Sequence, residues 1–238
     1  MLCFCEVFFI KNILVGNTIS AKCEDALNSF GYNVVKLPRF NKLQEYVSNH
    51  ADMLIFYDGE RIITHNGYFE ENKTLFASLG IEIVLSDERM EKAYPFDILF
   101  NAVLTKEGIL FSKSEYTSEL IKRRAKKIIE VKQGYTACST CRVSDNAFIT
   151  TDSGLYKAYL QCGIDSILVS KDDIVLPGYD CGFIGGASVV IGDLVCFFGD
   201  IKKYRDYGII YDFVRKHDKD IFSLSDEKLT DVGGAVVV

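Results

Sequence analysis

Asp231-Val232-Gly233-Gly234-Ala235-Val236-Val237-Val238 closes the chain, and segments of the same form occur upstream of it. They read His50-Ala51-Asp52-Met53-Leu54-Ile55-Phe56, Phe96-Asp97-Ile98-Leu99-Phe100-Asn101-Ala102-Val103, Ala137-Cys138-Ser139-Thr140-Cys141-Arg142-Val143 and Phe183-Ile184-Gly185-Gly186-Ala187-Ser188-Val189-Val190. Each of these upstream segments leads through a polar turn into an inner apolar run. The inner runs are Ile62-Ile63-Thr64-His65-Asn66, Ile109-Leu110-Phe111-Ser112, Phe148-Ile149-Thr150-Thr151-Asp152 and Val195-Cys196-Phe197-Phe198-Gly199-Asp200. Near the other end of the chain stands Ile13-Leu14-Val15-Gly16-Asn17, the inner run of the first unit. Pairing the last segment with this first run joins the chain ends and removes a sheet edge.

A helical stretch and a second, outer apolar run complete each unit. The outer runs are Tyr32-Asn33-Val34-Val35, Ile81-Glu82-Ile83-Val84-Leu85, Ile128-Ile129-Glu130-Val131, Ser166-Ile167-Leu168-Val169 and Ile221-Phe222-Ser223-Leu224. The unit is therefore strand, strand, helix, strand, with a period of roughly 45 residues; one such unit cannot bury its own apolar face. Asp58-Gly59, Glu107-Gly108, Asp145-Asn146 and Gly192-Asp193 have two-residue hairpin chemistry. Leu155, Ala158, Tyr159 and Cys162 lie at helical spacing, with Ser153 expected as N-cap and Gly163 as the stop. A further helix is expected near Tyr207 to Lys216. The expectation is an α/β chain of five repeats, residues 1–238 forming a single domain.

With 238 residues and 48% hydrophobic content, the chain can bury a sizeable core. A net charge of −6 argues against a nucleic-acid partner, which favours a basic footprint. The run Lys122-Arg123-Arg124-Ala125-Lys126-Lys127 reads as a solvated helix face. Met1–Ile10 is apolar but lacks a basic start and a small-residue cleavage site, so it does not read as a signal peptide. No stretch approaches the roughly 20 apolar residues of a membrane span. The expectation is a cytoplasmic protein with no membrane partner. Eight cysteines scattered over apolar runs read as small core hydrophobes. Cys138-Ser139-Thr140-Cys141, placed on a strand, has neither the helix start of a redox pair nor the second ligand pair of a zinc site. No metal and no cofactor is implied. Gly182 to Gly186 lacks the Lys-Ser/Thr and the helix of a phosphate loop, and reads instead as close backbone approach. Asp152 and Asp200 read as caps of the turns they precede.

Five strand-strand-helix-strand units around an axis resemble the pentein fold, the α/β propeller of arginine deiminases, amidinotransferases, agmatine deiminases and the ribosome anti-association factor. The resemblance covers nearly the whole chain. In the catalytic branch a His-x-Asp motif and, two units later, a Cys-x-Thr or Cys-x-Ser motif point into a central funnel. Here His50-Ala51-Asp52 is followed two units later by Cys138-Ser139-Thr140. The chain also resembles an uncharacterised bacterial family of this fold through Lys132-Gln133-Gly134-Tyr135-Thr136-Ala137-Cys138-Ser139. The resemblance implies Cys138, His50 and Asp52 as catalytic residues, with Asn101, Tyr135 and Gly186 as binding residues.

Two positions depart from the pattern. Gly186 stands where the family has the carboxylate of Thr-Arg-Asp, and Ala235 where it has that of Glu-Gly-Gly-Asp. A guanidinium buried without those carboxylates is left unpaired, at a cost of several kcal/mol, which argues against a plain arginine deiminase. A thiol is an effective nucleophile only as a thiolate, which a neighbouring imidazolium favours. Two classes of function stay open. One is a cysteine-dependent hydrolase or transferase acting on a small amidine- or amide-type substrate. The other is a non-catalytic propeller that binds a protein partner or a metabolite.

Overall fold

The computed structural model describes residues 11–238. Met1–Ile10, with Cys3 and Cys5, lies outside the described residues. In the first unit β1 (Asn12–Gly16) and β2 (Asn33–Leu37) flank α1 (Ala21–Ser29). A single helical turn, α2 (Ala51–Leu54), precedes the second unit: β3 (Ile55–Tyr57), β4 (Arg61–His65), α3 (Asn66–Glu71), α4 (Lys73–Ser78) and β5 (Glu82–Ser86). The third contains β6 (Val103–Leu104), β7 (Ile109–Ser112), α5 (Glu119–Lys122) and β8 (Lys127–Glu130). The fourth contains β9 (Thr140–Ser144), β10 (Ala147–Thr150), α6 (Ser153–Gln161) and β11 (Asp165–Leu168). The fifth contains β12 (Ser188–Ile191), β13 (Leu194–Phe197), α7 (Tyr207–Lys216) and β14 (Asp220–Ser223), and β15 (Ala235–Val237) ends the chain.

The strands form five three-stranded sheets of one pattern. A central strand pairs antiparallel with the strand nearest the axis and parallel with the outer one, as β10 does with β9 and β11. A strand enclosed on both sides is buried, which is why β1, β4 and β10 are buried almost throughout and carry the apolar runs Ile13–Val15, Ile62–Ile63 and Ala147–Ile149. In the first sheet the inner partner comes from the far end of the chain: Ile13, Leu14 and Val15 face Val237, Val236 and Ala235. Residues of β3, β6, β9, β12 and β15 line one cavity of about 490 Å³, so the five inner strands share an axis. The α/β five-fold propeller is the fold of this chain. Among the described residues no helix is long and apolar enough to cross a membrane.

Hairpin chemistry holds at the tight turns, where Gly59, Gly108 and Gly192 take φ of 97°, 86° and 58°. Three local readings change. The N-cap of α6 is Asp152, not Ser153, because its carboxylate reaches the amides of both Gly154 and Leu155. The basic run at 122–127 is not a helix face: α5 stops at Lys122 and β8 begins at Lys127. Most important for the site, the segments entering the inner strands begin as helical turns. His50 is the N-cap of α2, and Cys138 lies in a turn closed by the Ser139 amide on Tyr135 O and the Thr140 amide on Ala137 O.

Val236 and Val238 pack on the largest core cluster, and Ala235 and Val237 on its neighbour. Deleting residues 235–238 leaves β1 without its inner partner and exposes these half-buried side chains. Full burial of an aliphatic side chain is worth about 1.5–3 kcal/mol, so the loss amounts to several kcal/mol. At about 2–4 °C per kcal/mol for a chain of this size, Tm should fall by about 10 °C or more. An unchanged midpoint in thermal unfolding would show that ring closure contributes nothing to stability.

Candidate functional site

The inner strands bring one turn from each unit to the axis, and the register shows which residues correspond. The inner-strand residues opposite Val15, Thr64, Phe111, Thr150 and Phe197 are Ala235, Ile55, Val103, Thr140 and Ser188. Two residues upstream of these lie Gly233, Met53, Asn101, Cys138 and Gly186. Asp52 and Gly234, which a strand reading puts in this set, are each displaced by one position. At Asp52 the cause is the helical turn α2, in which side chains advance about 100° per residue instead of alternating, whereas Gly234 takes a left-handed φ of 62° outside any helix.

Asn101 is fully buried and ties three units together. Its Nδ2 donates to Cys138 Sγ at 2.9 Å and to Asp52 O at 3.2 Å, and lies 3.3 Å from Met53 Sδ. Its Oδ1 accepts from the amides of Ala137 at 2.7 Å and Cys138 at 3.3 Å. The Asp52 carboxyl lies close enough to the Cys138 thiol for each to influence the ionisation of the other. Burial, and then the negative charges of Asp52 and Asp231, push this thiol well above its ordinary pKa, with the Asn101 amide opposing. Burial and the neighbouring Asp231 raise the Asp52 carboxyl in the same way. Asp52 Oδ1 is buried and has no hydrogen-bond partner among the described residues.

Asp231 is the residue the sequence reading missed. Its Oδ1 accepts from the Gly233 amide and its Oδ2 from the Phe183 amide, both at 2.9 Å, while burial pushes its pKa up to about 6. A Cβ on Gly186 would overlap Asp231 Oδ1. The carboxylate missing from Gly186 is thus replaced in space by one from the turn before β15, and Gly186 is glycine because that carboxylate occupies the place of its side chain. Gly185 meets the carbonyls of Ala137, Cys138 and Thr140, as close backbone approach requires.

His50 lies with its Nδ1 3.7 Å from Asp231 Oδ1, beyond hydrogen-bond range. Burial lowers its pKa to about 4, so the ring is neutral near pH 7. No hydrogen bond joins His50 to Cys138 among the described residues; the thiol's hydrogen-bond partner is Asn101. The imidazolium expected beside the thiol is therefore not what this arrangement provides. Tyr135 stands above the same turn. Its hydroxyl donates to Asp97 Oδ2 at 2.7 Å, and its ring lies 5.6 Å from that of Tyr94 and 5.9 Å from that of Phe183. Asp97, raised by burial and with Oδ1 unpartnered among the described residues, was also missed. The one sequence signal for Asp231 is an acidic residue directly before a Gly-Gly strand entry. Among the described residues no group of three or more His, Cys, Asp or Glu is arranged to hold a metal ion.

Two outcomes follow from this geometry. Gly186→Ala should destabilise the protein by about 1–3 kcal/mol through overpacking. The penalty should shrink in an Asp231→Ala background, where space is restored. Additive penalties in a double-mutant cycle would disprove the contact. Second, the His50 ring should remain neutral down to about pH 5 when followed by NMR. A folded pKa below the unfolded value means this group's contribution to stability is complete above about pH 6.5 and is lost as pH falls toward 4. Asp231, raised to about 6, has the opposite sign: its contribution is present at low pH and lost as pH rises through 6. A His50 titration midpoint near 6.5 would contradict the buried, neutral ring.

Several solved structures share this fold. DDAH from Pseudomonas aeruginosa, a cysteine-to-serine mutant complexed with citrulline, is 8% identical over 97% of this chain and 100% of that one, with a TM-score of 0.59. C. jejuni agmatine deiminase, a cysteine-to-serine form with substrate bound, is 10% identical over 96% and 93% of the two chains, with a TM-score of 0.57. The inosamine-phosphate amidinotransferase of Streptomyces griseus is 12% identical over 94% and 91%, with a TM-score of 0.55. At such identities the likeness is one of fold. No curated protein matches the chain in sequence. Residues 14–236 match the family described as "Family of unknown function (DUF6873)", so this pentein-fold chain belongs to that family.

Proposed function

We propose that this protein is a cysteine-dependent hydrolase or transferase that acts on a small cationic amidine-type compound at the axis of the ring. One observation carries the reading. Two buried carboxyl groups, Asp52 and Asp231, stand together beside the Cys138 thiol with no cationic partner among the described residues. Buried carboxylates that repel each other are costly to ionise, and a bound cation relieves that cost. The same cation would draw the Cys138 pKa down, so the thiolate would form in the complex and not in the free protein. The proteins that share the fold are named as a dimethylarginine dimethylaminohydrolase, a deiminase and an amidinotransferase, which supports chemistry at a carbon bonded to nitrogen.

The residues divide the work as follows. Asp52 takes the thiol proton, and Asn101 stabilises the resulting thiolate through its Nδ2. The sulfur bonds to the amidine carbon; the carbon–nitrogen bond breaks, and the leaving amine carries off the proton held by Asp52. His50, neutral beside Asp231, then accepts a proton from the water or amine that displaces the sulfur. Asp231 supplies the charge complementarity missing from Gly186.

A pair of reagents that differ only in charge tests this reading. A neutral haloacetamide should label the buried Cys138 more slowly than the half-buried Cys162 and Cys181. The corresponding haloacetamidine, a cation, should label Cys138 at least about tenfold faster than the amide does, since one pKa unit is a factor of ten in thiolate. Asp52→Asn should abolish the preference, read site by site in mass spectrometry. Equal rates for the two reagents at Cys138 would end the hydrolase reading and leave a ring that binds without acting.

A further inference from the structure

The axial cavity has two unlike ends. The inner end is formed by Asp52, Ala137, Gly185 and Gly233, at the turns described above. The outer end, where the hairpins reverse, is lined by Lys106, Arg142, Asp145 and Lys219. Two of these three cations are already committed. Lys106 Nζ lies 2.6 Å from Asp145 Oδ2, and Lys219 Nζ lies 3.0 Å from Asp193 Oδ1 while donating to Gly192 O at 2.7 Å. Arg142 has no ion pair and no side-chain hydrogen bond among the described residues; its nearest aromatic partner is the Phe148 ring, 5.8 Å from the guanidinium carbon.

Two further observations concern Arg142. Its side chain is exposed, yet the protein around it desolvates the guanidinium enough to lower its pKa, against the pull of Asp145 and Tyr159. Both are true of a side chain whose free surface faces a cavity instead of the outer surface. The register also gives Arg142 equivalents in every unit. Two residues downstream of the matched inner-strand positions lie Tyr57, Thr105, Arg142, Val190 and Val237, and Arg142 alone is charged. A guanidinium offers five N–H donors in a fixed fork, and leaving them unsatisfied in a partly desolvated place is unfavourable.

We propose that the outer end of the axial cavity is a binding site for a small organic anion, whose carboxylate or phosphate oxygens Arg142 holds through paired N–H donors. A volume of about 490 Å³ is in the range of small-molecule sites. Ile55, Val190 and Val237 line the same cavity and offer apolar surface to the carbon body of such a ligand. Arg142 lies two residues beyond Thr140 on β9, about 7 Å further along the axis, so this site is separate from the Cys138 chemistry. It does not depend on that reading.

Calorimetric titration at constant ionic strength tests the site with two probes, inorganic phosphate and glutarate. At least one should bind saturably, and the one that does identifies the oxyanion. Arg142→Met should weaken that binding at least about tenfold, while Cys138→Ala should bind as the wild type does, so the two proposals fail separately. Phenylglyoxal modification of Arg142 in the unmutated protein gives a second measure, and the bound anion should slow it. The site is refuted if neither probe saturates, if Arg142→Met binds as tightly as the wild type, or if neither anion protects Arg142 from modification.

Discussion

The antiparallel pairing of Ala235–Val237 with Ile13–Val15 is the contact on which the rest of the site depends. It joins the two ends of the described chain through backbone hydrogen bonds, and Asn12 and Val238 add two more at 3.0 and 2.9 Å. By holding β15 in register it also holds the turn before it. The Gly234 amide then donates to Gly186 O at 2.7 Å, the Val232 amide to the same oxygen at 3.0 Å, and the Asp52 amide to Gly233 O at 3.2 Å. Asp231 reaches the place of the missing Gly186 side chain because these bonds bring the last turn against the second and fifth units. A chain that did not close would have neither this carboxylate nor its neighbours at the axis.

Close approach has an electrostatic consequence. Asp52, Asp231 and Cys138 are acids packed where water cannot solvate their charged forms, so burial shifts all three toward the protonated state, and neighbouring carboxyl groups add to the shift at Asp52 and Cys138. His50, a base in the same surroundings, is driven toward its neutral form. The site as it stands is short of positive charge. Hydrogen bonds from Asn101 and from the Gly233 and Phe183 amides offset part of the cost, but they leave Asp52 Oδ1 unpartnered. Such an arrangement is less favourable than an apolar core of the same shape, and it is of the kind found where a ligand completes the charge balance.

At the other end of the same cavity the imbalance has the opposite sign, with Arg142 making no ion pair among the described residues. The five inner strands pair with their central strands in one antiparallel pattern, so the five-fold repeat supplies equivalent positions and the sequence gives each its own side chain. Asn101 and Cys138 occupy equivalent positions in adjacent units, as do Thr105 and Arg142 four residues further along. Departure from symmetry is what turns a repeated scaffold into a site with distinct ends.

The repeat, the hairpin turns and the closing strand were legible in the sequence, which also offers His50, Asp52, Asn101, Cys138 and Gly186 as candidates for the axis. Apolar periodicity and turn chemistry are local properties, and a strict repeat carries them around the whole ring. Other features were not legible. The helical turns at His50 and Cys138 are four-residue segments whose apolar content suits either a strand entry or one turn of helix, and packing at the axis decides between them. Nothing in Asp231-Val232-Gly233-Gly234 states that its carboxylate crosses to the place vacated by Gly186, because that relation joins segments 45 residues apart, brought together only when the ring closes. The sequence by itself determined the repeat and the residues available at the axis. Only the tertiary structure decided which of them touch, and hence that the thiol meets Asp52 and Asn101 while the imidazole faces Asp231, because contact distance and desolvation exist only once the five turns are packed against one another.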